Sequence, residues 1–346
     1  MTPLALHVLP HRGGGGEAYV DLMERITGFE HERVPLSSGR TPASAAVSLP
    51  LRWPAVAARA RRASLVHAHG DMAAILALPL LRGRPSVWST HGLHFLRRAR
   101  GTRLGFARRG LRAAVAAAEC TICTSEAERT ELAEIAAPEH AGRLVLIYNG
   151  LEPSPVAGPE ERAAARAGLG LAEDEVAVLY LGRLEERKDP LTAVAAAEAA
   201  DGPVVLLLAG DGPLLSGAER RAGASVRVLG HRDDGPALLA ASDVFVMPSE
   251  REGLSYAVLE AMAAGLAMVV SDGPGNPEAV GDAGVVVPFG DERALAAALS
   301  RLAGDPAERE RLGAAGRARV LDRFTAEQMV RETAAVYEAV GAGDRG

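Results

Sequence analysis

Two carboxylates, Glu252 and Glu260, stand eight positions apart in "PSEREGLSYAVLEAMAAG". The run "SYAVLEAMAAG" reads as a helix that stops at Gly265, so Glu252 lies in the loop before it. Glu260 lies about one and a half turns inside. Helical side chains lean toward the N-terminus, so Glu260 can reach back toward that loop. A helix N-terminus attracts phosphate. Carboxylates repel phosphate but accept hydrogen bonds from hydroxyls, so sugars on either side of a bound phosphate are their natural partners. The opposite charge comes from "GRLEERKDP", Gly182 to Pro190, where Arg183 and Lys188 can neutralise a diphosphate. Arg supplies a planar fork and Lys a compact, mobile point charge. Lys188 is the one lysine among 38 basic residues. A leaving diphosphate whose charge grows during reaction suits a small ammonium that can follow it. Two acids bracketing a helix N-terminus, opposite an Arg and a Lys, read as a sugar-nucleotide site.

Other chemistry is less developed. "HRGGGGE" brings Gly14, Gly15 and Gly16 to the start of a helix, where bare backbone can approach a ligand. It is not a dinucleotide fingerprint, and a flexible turn is the competing reading. No Asp-x-Asp pair occurs, so a metal-carried diphosphate is not expected, and neither a metal nor another cofactor is assigned. Cys120 and Cys123 form a Cys-x-x-Cys on a strand, where positions three apart face opposite sides; this is half a zinc site at best. His67 and His69 share a strand face and read as structural or cleft-lining.

These loops need elements to hold them. In the first half, "LALHVLP", "LVHAHG", "SVWSTHG", "ECTICTS" and "RLVLIYNG" read as strands, with helices at "GEAYVDLMERIT" and "DMAAILALPLLRG". Another helix opens at Ser125, where "SEAE" offers an N-cap and a Glu at the capping-box position. A Pro-rich break covers Leu151 to Glu161. The rhythm then restarts with "VAVLYLGRL", "PVVLLLAGDGP", "SVRVLGH", "DVFVMPS", "LAMVVSD" and "GVVVP". Near-continuous apolar runs suit parallel sheets covered on both faces. The expectation is α/β: two doubly wound, Rossmann-like domains facing each other across a cleft. They are residues 1–152 and 153–324, with a helix over about 325–342 returning to the first. Each chemical loop follows a strand end, as ligand loops in such sheets do.

The pieces "GGGGE", "VHAHG", "STHGLH", "TSEAE", "IYNGLEP", "YLGRLEERKDP", "LAGDGP", "GHRDD", "MPSEREGLSYAVLEAMAAG", "DGPGNPEAV" and "VPFGDERALAAAL" together resemble the retaining family 4 glycosyltransferases of the two-Rossmann-domain (GT-B) architecture. The resemblance spans essentially the whole chain, and the E-x7-E pair is its most specific part. It implies that Glu252 contacts the donor sugar, Glu260 the ribose, and Arg183 with Lys188 the diphosphate. His91 matches the histidine near the donor sugar, and Gly14 to Gly16 the loop beside the phosphates. Many members read Glu-Gly-Phe-Gly where this chain has Glu252-Gly253-Leu254-Ser255, which bears on donor-sugar identity more than on catalysis.

The expected activity is retaining transfer of a hexose or N-acetylhexosamine from a nucleotide diphosphate sugar, with UDP favoured. A sugar-nucleotide epimerase or hydrolase, or a non-catalytic partner subunit, is the alternative on the same fold. Net charge is -6 overall. Residues 1–150 carry 19 Arg against 12 acids and the remainder 19 basic residues against 32 acids. The basic residues crowd into "FLRRARGTRLGFARRGLR". Arg97, Arg98, Arg108 and Arg109 are therefore expected to face a lipid-linked or anionic acceptor, or a membrane surface. Aromatics are too few for a nucleic-acid partner. A cytoplasmic protein, in peripheral contact with the inner face of the membrane, is the expected setting.

Overall fold

The computed structural model describes residues 2–11, 15–37 and 42–342. By contacts the chain divides into two compact units, Met1–Asn149 with Ala326–Gly346, and Gly150–Thr325. The first holds strands β1 (Leu4–Leu9), β2 (Glu30–Pro35), β3 (Leu65–His69), β4 (Ser86–Ser89), β5 (Cys120–Cys123) and β6 (Leu144–Leu146). The second holds β7 (Val176–Leu181), β8 (Val204–Ala209), β9 (Val226–Gly230), β10 (Val244–Met247), β11 (Ala267–Ser271) and β12 (Gly284–Val287). Every strand pairing is parallel, in the orders β2-β1-β3-β4-β5-β6 and β12-β11-β10-β7-β8-β9. Strand order reverses between β1 and β3 in one sheet and between β7 and β10 in the other. Crevices at the carboxyl ends of such strand pairs are where doubly wound sheets bind ligands.

All six strands read from the second half are present; β7, β8, β10 and β11 are mostly buried apolar runs, and the partly exposed edge strands β9 and β12 still carry Val at alternate or successive positions. In the first half the reading missed β2. Its sequence "EHERVP" is dominated by polar side chains, which an edge strand with a half-open face tolerates. The expected helix "DMAAILALPLLRG" is two, Asp71–Leu76 and Leu78–Leu81, broken at Ala77. Pro79, without an N–H, sits in the first turn of the second piece. Ser125 does cap the helix Glu126–Ala133 by accepting from the Glu128 amide. The Glu128 carboxylate does not close the box on Ser125. It takes hydrogen bonds from the hydroxyls of Thr90 and Thr124 and from the Thr124 amide.

In the first unit one sheet face packs Leu6, Val66 and Trp88 against the helix Thr102–Ala117 through Leu111 and Val115. The opposite face sets Ala5, Leu65, Val87 and Ile122 against Tyr19 and Met23 of the helix Gly15–Met23. Met329, Tyr337 and Val340 of the last helix, Ala326–Ala342, complete that layer. Among the described residues no helix is long and apolar enough to cross a membrane.

Candidate active site

In the second unit the candidate residues gather at the carboxyl ends of β7, β10 and β11. Lys188 follows β7 in a short 3-10 turn, Glu186–Lys188. Glu252 follows β10. Lys188 Nζ lies 2.6 Å from Glu252 Oε1, with the carboxylate side chain 8% exposed and the ammonium side chain 21%. The two residues read separately, one for the diphosphate and one for the sugar, form one ion pair at the point where strand order reverses. Glu250 N donates to Arg187 O at 2.9 Å, so the two loops are also tied through the backbone.

Two glycine-bearing loops hold these from either side. A Cβ on Gly275, whose φ is +94°, would overlap the carbonyl oxygens of Gly253 and Glu252. Glu252 N donates to Pro274 O at 2.8 Å, which fixes the depth of the acidic loop. After β8, a Cβ on Gly210 would overlap the Gly182 carbonyl, while Leu184 N donates to Asp211 O at 2.9 Å. Tyr180 OH donates to Arg183 O at 2.9 Å. Burial raises this phenol's pKa well above its usual 10, keeping it a donor.

Arg183 does not join the ion pair. Its side chain is 63% exposed, with Nε 3.5 Å from Glu185 Oε2. Leu254 is buried and Gly253 and Ser255 are half-buried, with Ser255 the residue that enters the helix Tyr256–Ala263. Glu260 stands on the exposed side of this helix, and desolvation by its surroundings raises its carboxyl pKa above the ordinary value.

In the first unit His91 lies in the loop after β4. This loop holds three residues in left-handed backbone, His91 at φ 50°, Gly92 at 102° and Leu93 at 47°. The two that carry a Cβ cost on the order of 1 kcal/mol each. Asp71 pins the next turn by accepting from the amides of Phe95 at 2.6 Å and Leu96 at 3.0 Å. Tyr19 packs edge-on against the His91 ring, centroids 4.5 Å apart. Gly15 and Gly16 open the helix Gly15–Met23, while Gly14 lies outside the described residues.

The basic patch needs a correction. Arg98, Arg108 and Arg109 are exposed, but the Arg97 side chain is only 4% exposed and pairs with Glu131 at 3.1 Å. A guanidinium under a helix requires that counter-charge, and it cannot also face an acceptor. Cys120 and Cys123 are free and buried, and burial pushes the Cys120 thiol up to about 12. Such thiols are poor nucleophiles.

Sequence reasoning paired His67 with His69 and did not place His7 beside them. His7, His67 and His69 each offer one ring nitrogen, and these three lie within 4.8 Å of one another. Each of the six nitrogens has a hydrogen-bond partner. His67 bonds Tyr337 Oη at 2.7 Å and Ser89 Oγ at 2.8 Å. His7 bonds His31 and His69, and His69 bonds His7 and His91. Alternation in "LALHVL" and "LVHAH" places these rings on one face, and that signal was readable. Their mutual contact depends on strand order.

Residues 5–154 match the family described as Glycosyltransferase Family 4, and residues 175–305 match Glycosyl transferases group 1. The chain is 31% identical over 315 residues to the alpha-maltose-1-phosphate synthase of Mycolicibacterium smegmatis, covering 82% of this chain and 81% of that one. It is 32% identical over 305 residues to a glycogen synthase of Mycobacterium tuberculosis, covering 83% and 71%. The crystal structure of Anabaena HepE in complex with UDP and glucose superposes with a TM-score of 0.83 at 20% identity, over 97% of this chain and 99% of that one. With two Rossmann-like units and matches across both, the chain belongs to the family 4 glycosyltransferases of GT-B architecture.

Proposed function

We propose that this glycosyltransferase moves a hexose or N-acetylhexosamine from a nucleotide diphosphate sugar, UDP favoured, to an acceptor hydroxyl with retention of configuration. The observation that carries the reading is the Lys188–Glu252 ion pair at the strand-order reversal. An incoming diphosphate competes for the ammonium. As Lys188 turns to it, the Glu252 carboxylate is released to accept hydrogen bonds from sugar hydroxyls. Donor binding thus assembles both halves of the site in one exchange. Charge that grows on the leaving diphosphate is met by Lys188, by the exposed and movable Arg183, and by the amides opening the helix at Tyr256. Glu260 is assigned to the ribose hydroxyls, and the family resemblance assigns Gly14 to Gly16 to the phosphates. The same resemblance assigns His91 to the donor sugar. These cations take the place of a metal, so activity persists in excess chelator. No carboxylate nucleophile is assigned, and departure through an oxocarbenium-like state on the front face gives retention.

The acceptor is anionic or lipid-linked, met by Arg98, Arg108 and Arg109. The name of the Mycolicibacterium smegmatis relative, which carries a sugar phosphate, supports a charged acceptor. Peripheral contact with an anionic membrane follows the same arginines.

The donor assignment is tested by melting the protein with UDP, GDP or ADP. A nucleotide at a hundred times its Kd stabilises by about 2.7 kcal/mol. UDP is expected to raise the melting temperature. Silence with all three nucleotides refutes the reading, and a response to GDP alone moves it to GDP sugars. The anomeric configuration of product, read by NMR, tests retention.

A further inference from the structure

Four histidines cross the first sheet in a line. His31 sits on β2, His7 on β1, His69 on β3 and His91 just past β4, four neighbouring positions in the strand order. His31 Nδ1 lies 3.0 Å from His7 Nε2, His7 Nδ1 lies 2.9 Å from His69 Nε2, and His69 Nδ1 lies 3.2 Å from His91 Nε2. The three pairs are nearly identical in form, with centroids 5.3, 5.2 and 5.4 Å apart and ring planes 22°, 25° and 21° apart. Strands about 4.8 Å apart set that repeat. His67 stands outside the line, its two nitrogens taken by Tyr337 and Ser89.

The far end of the line has a fixed polarity. His31 Nε2 lies 3.1 Å from the carbonyl oxygen of Ile26, and a carbonyl can only accept. His31 therefore carries its proton on Nε2 and offers Nδ1 as an acceptor. His7 must then donate from Nε2, which leaves its own Nδ1 an acceptor for His69 Nε2–H. The same step repeats once more, so His91 donates from Nε2 to His69. In neutral imidazoles one carbonyl fixes every tautomer in the line. We propose that His31, His7 and His69 are positioning residues, a one-way hydrogen-bond chain anchored on the Ile26 carbonyl that locks His91 as its Nε2–H tautomer and presents Nδ1 as an acceptor.

The surroundings keep His7, His69 and His91 neutral. Burial, with coulombic help from His31 and Arg33, lowers His7 to about 3. Burial, with help from His94, lowers His91 to about 3, and His69 is shifted in the same direction. Strained backbone at His91 and Leu93 and the Tyr19 ring then aim the locked imidazole. The consequence for catalysis rests on the proposed reading in which His91 faces the donor sugar. An Nδ1 acceptor suits a sugar hydroxyl and lets the hydroxyl's own oxygen keep its lone pairs for other donors.

The test uses the end of the chain farthest from His91. His31 is half-buried on an edge strand, where substitution is well tolerated. His31→Glu places an acceptor-only group against His7 Nε2 and preserves the polarity. His31→Lys places a donor-only group there, forces His7 to accept at Nε2, and reverses each tautomer through to His91. Long-range 15N–1H spectra of the histidine-labelled full chain read the tautomers directly. The wild type and His31→Glu are expected to show His91 protonated on Nε2, and His31→Lys to show it protonated on Nδ1. With donor sugar saturating, kcat in His31→Lys is expected to fall on the order of tenfold while His31→Glu stays within about twofold. Tyr337→Phe, which removes the partner of His67 alone, should leave the His91 tautomer unchanged.

A wild-type His91 protonated on Nδ1, or a His91 tautomer identical in both His31 variants, overturns the chain. That first measurement needs no variant and stands even if His31→Lys fails to fold. A reversed tautomer with undiminished kcat upholds the chain and removes His91 from the donor sugar, so the two readings fail separately.

Discussion

Lowering the pH from 7 to 5 should unfold the two units unequally. Eight of the nine histidines belong to the first unit, and His231 alone belongs to the second. In the folded first unit His7 and His91 are held at about 3, against an ordinary value of 6.5 in the unfolded chain. Between those values the unfolded chain binds protons that the folded chain refuses, so stability falls as pH falls. The stability is fully present above 6.5 and is lost progressively toward 3. From pH 7 to 5 each histidine costs about 2 kcal/mol, about 4 kcal/mol together. His67 and His69 are shifted in the same direction. Asp71 opposes them. Burial raises its carboxyl to about 6, so the folded state binds a proton more readily than the unfolded one. This returns about 1.3 kcal/mol at pH 5. The net loss of roughly 2.5 kcal/mol lowers the first unit's melting temperature by roughly 5–10 °C. Calorimetry at pH 7, 6 and 5 separates the transitions, with the second unit as internal reference. Two transitions that move in parallel, or a first unit that does not respond to acid, would refute the reasoning.

Two further outcomes are expected. Lys188→Met leaves the buried Glu252 carboxylate without its ammonium and should cost about 3 kcal/mol by denaturant unfolding; adding Glu252→Gln should recover most of that stability while activity stays lost. Changing Arg98, Arg108 and Arg109 to Gln should weaken sedimentation with anionic vesicles by about 1 kcal/mol per residue at low salt, and Arg97→Gln should instead lower the melting temperature.

What the sequence revealed follows from range. β7, β8, β10 and β11 were legible because a parallel strand buried on both faces is a local apolar run, and the edge strands β9 and β12 because Val recurs in them. β2 was not, since an edge strand exposes side chains such as Glu30 and Glu32 that local patterning assigns to a loop. Glu252, Glu260 and Lys188 were legible as residue types in strand-end loops. That Lys188 would be held by Glu252, 64 positions away, was not, because the pairing depends on β7 and β10 being neighbours. Arg97 and Arg98 look alike in sequence, yet one is buried beneath its helix and the other exposed. Which face of an arginine-rich helix packs inward is decided by the partner surface. The histidine line combines both cases. His7 and His69 stand at core positions of strands that local patterning shows, whereas His31 sits on the unread edge strand and His91 just past β4, so the line exists only once β2, β1, β3 and β4 lie side by side.

The last helix belongs to the unit that the first residues begin, with the whole of Gly150–Thr325 made between them. On a ribosome adding about 5–20 residues each second, that interval is on the order of 10–35 s. During it the sheet face bearing Ala5, Leu65, Val87 and Ile122 lacks Met329, Tyr337 and Val340, and His67 lacks its hydroxyl partner. The second unit has its entire sequence before the first does, so the later part of the chain can finish folding ahead of the earlier part. A chain made only as far as Thr325 would therefore leave that apolar face uncovered, and the closing helix is what seals it.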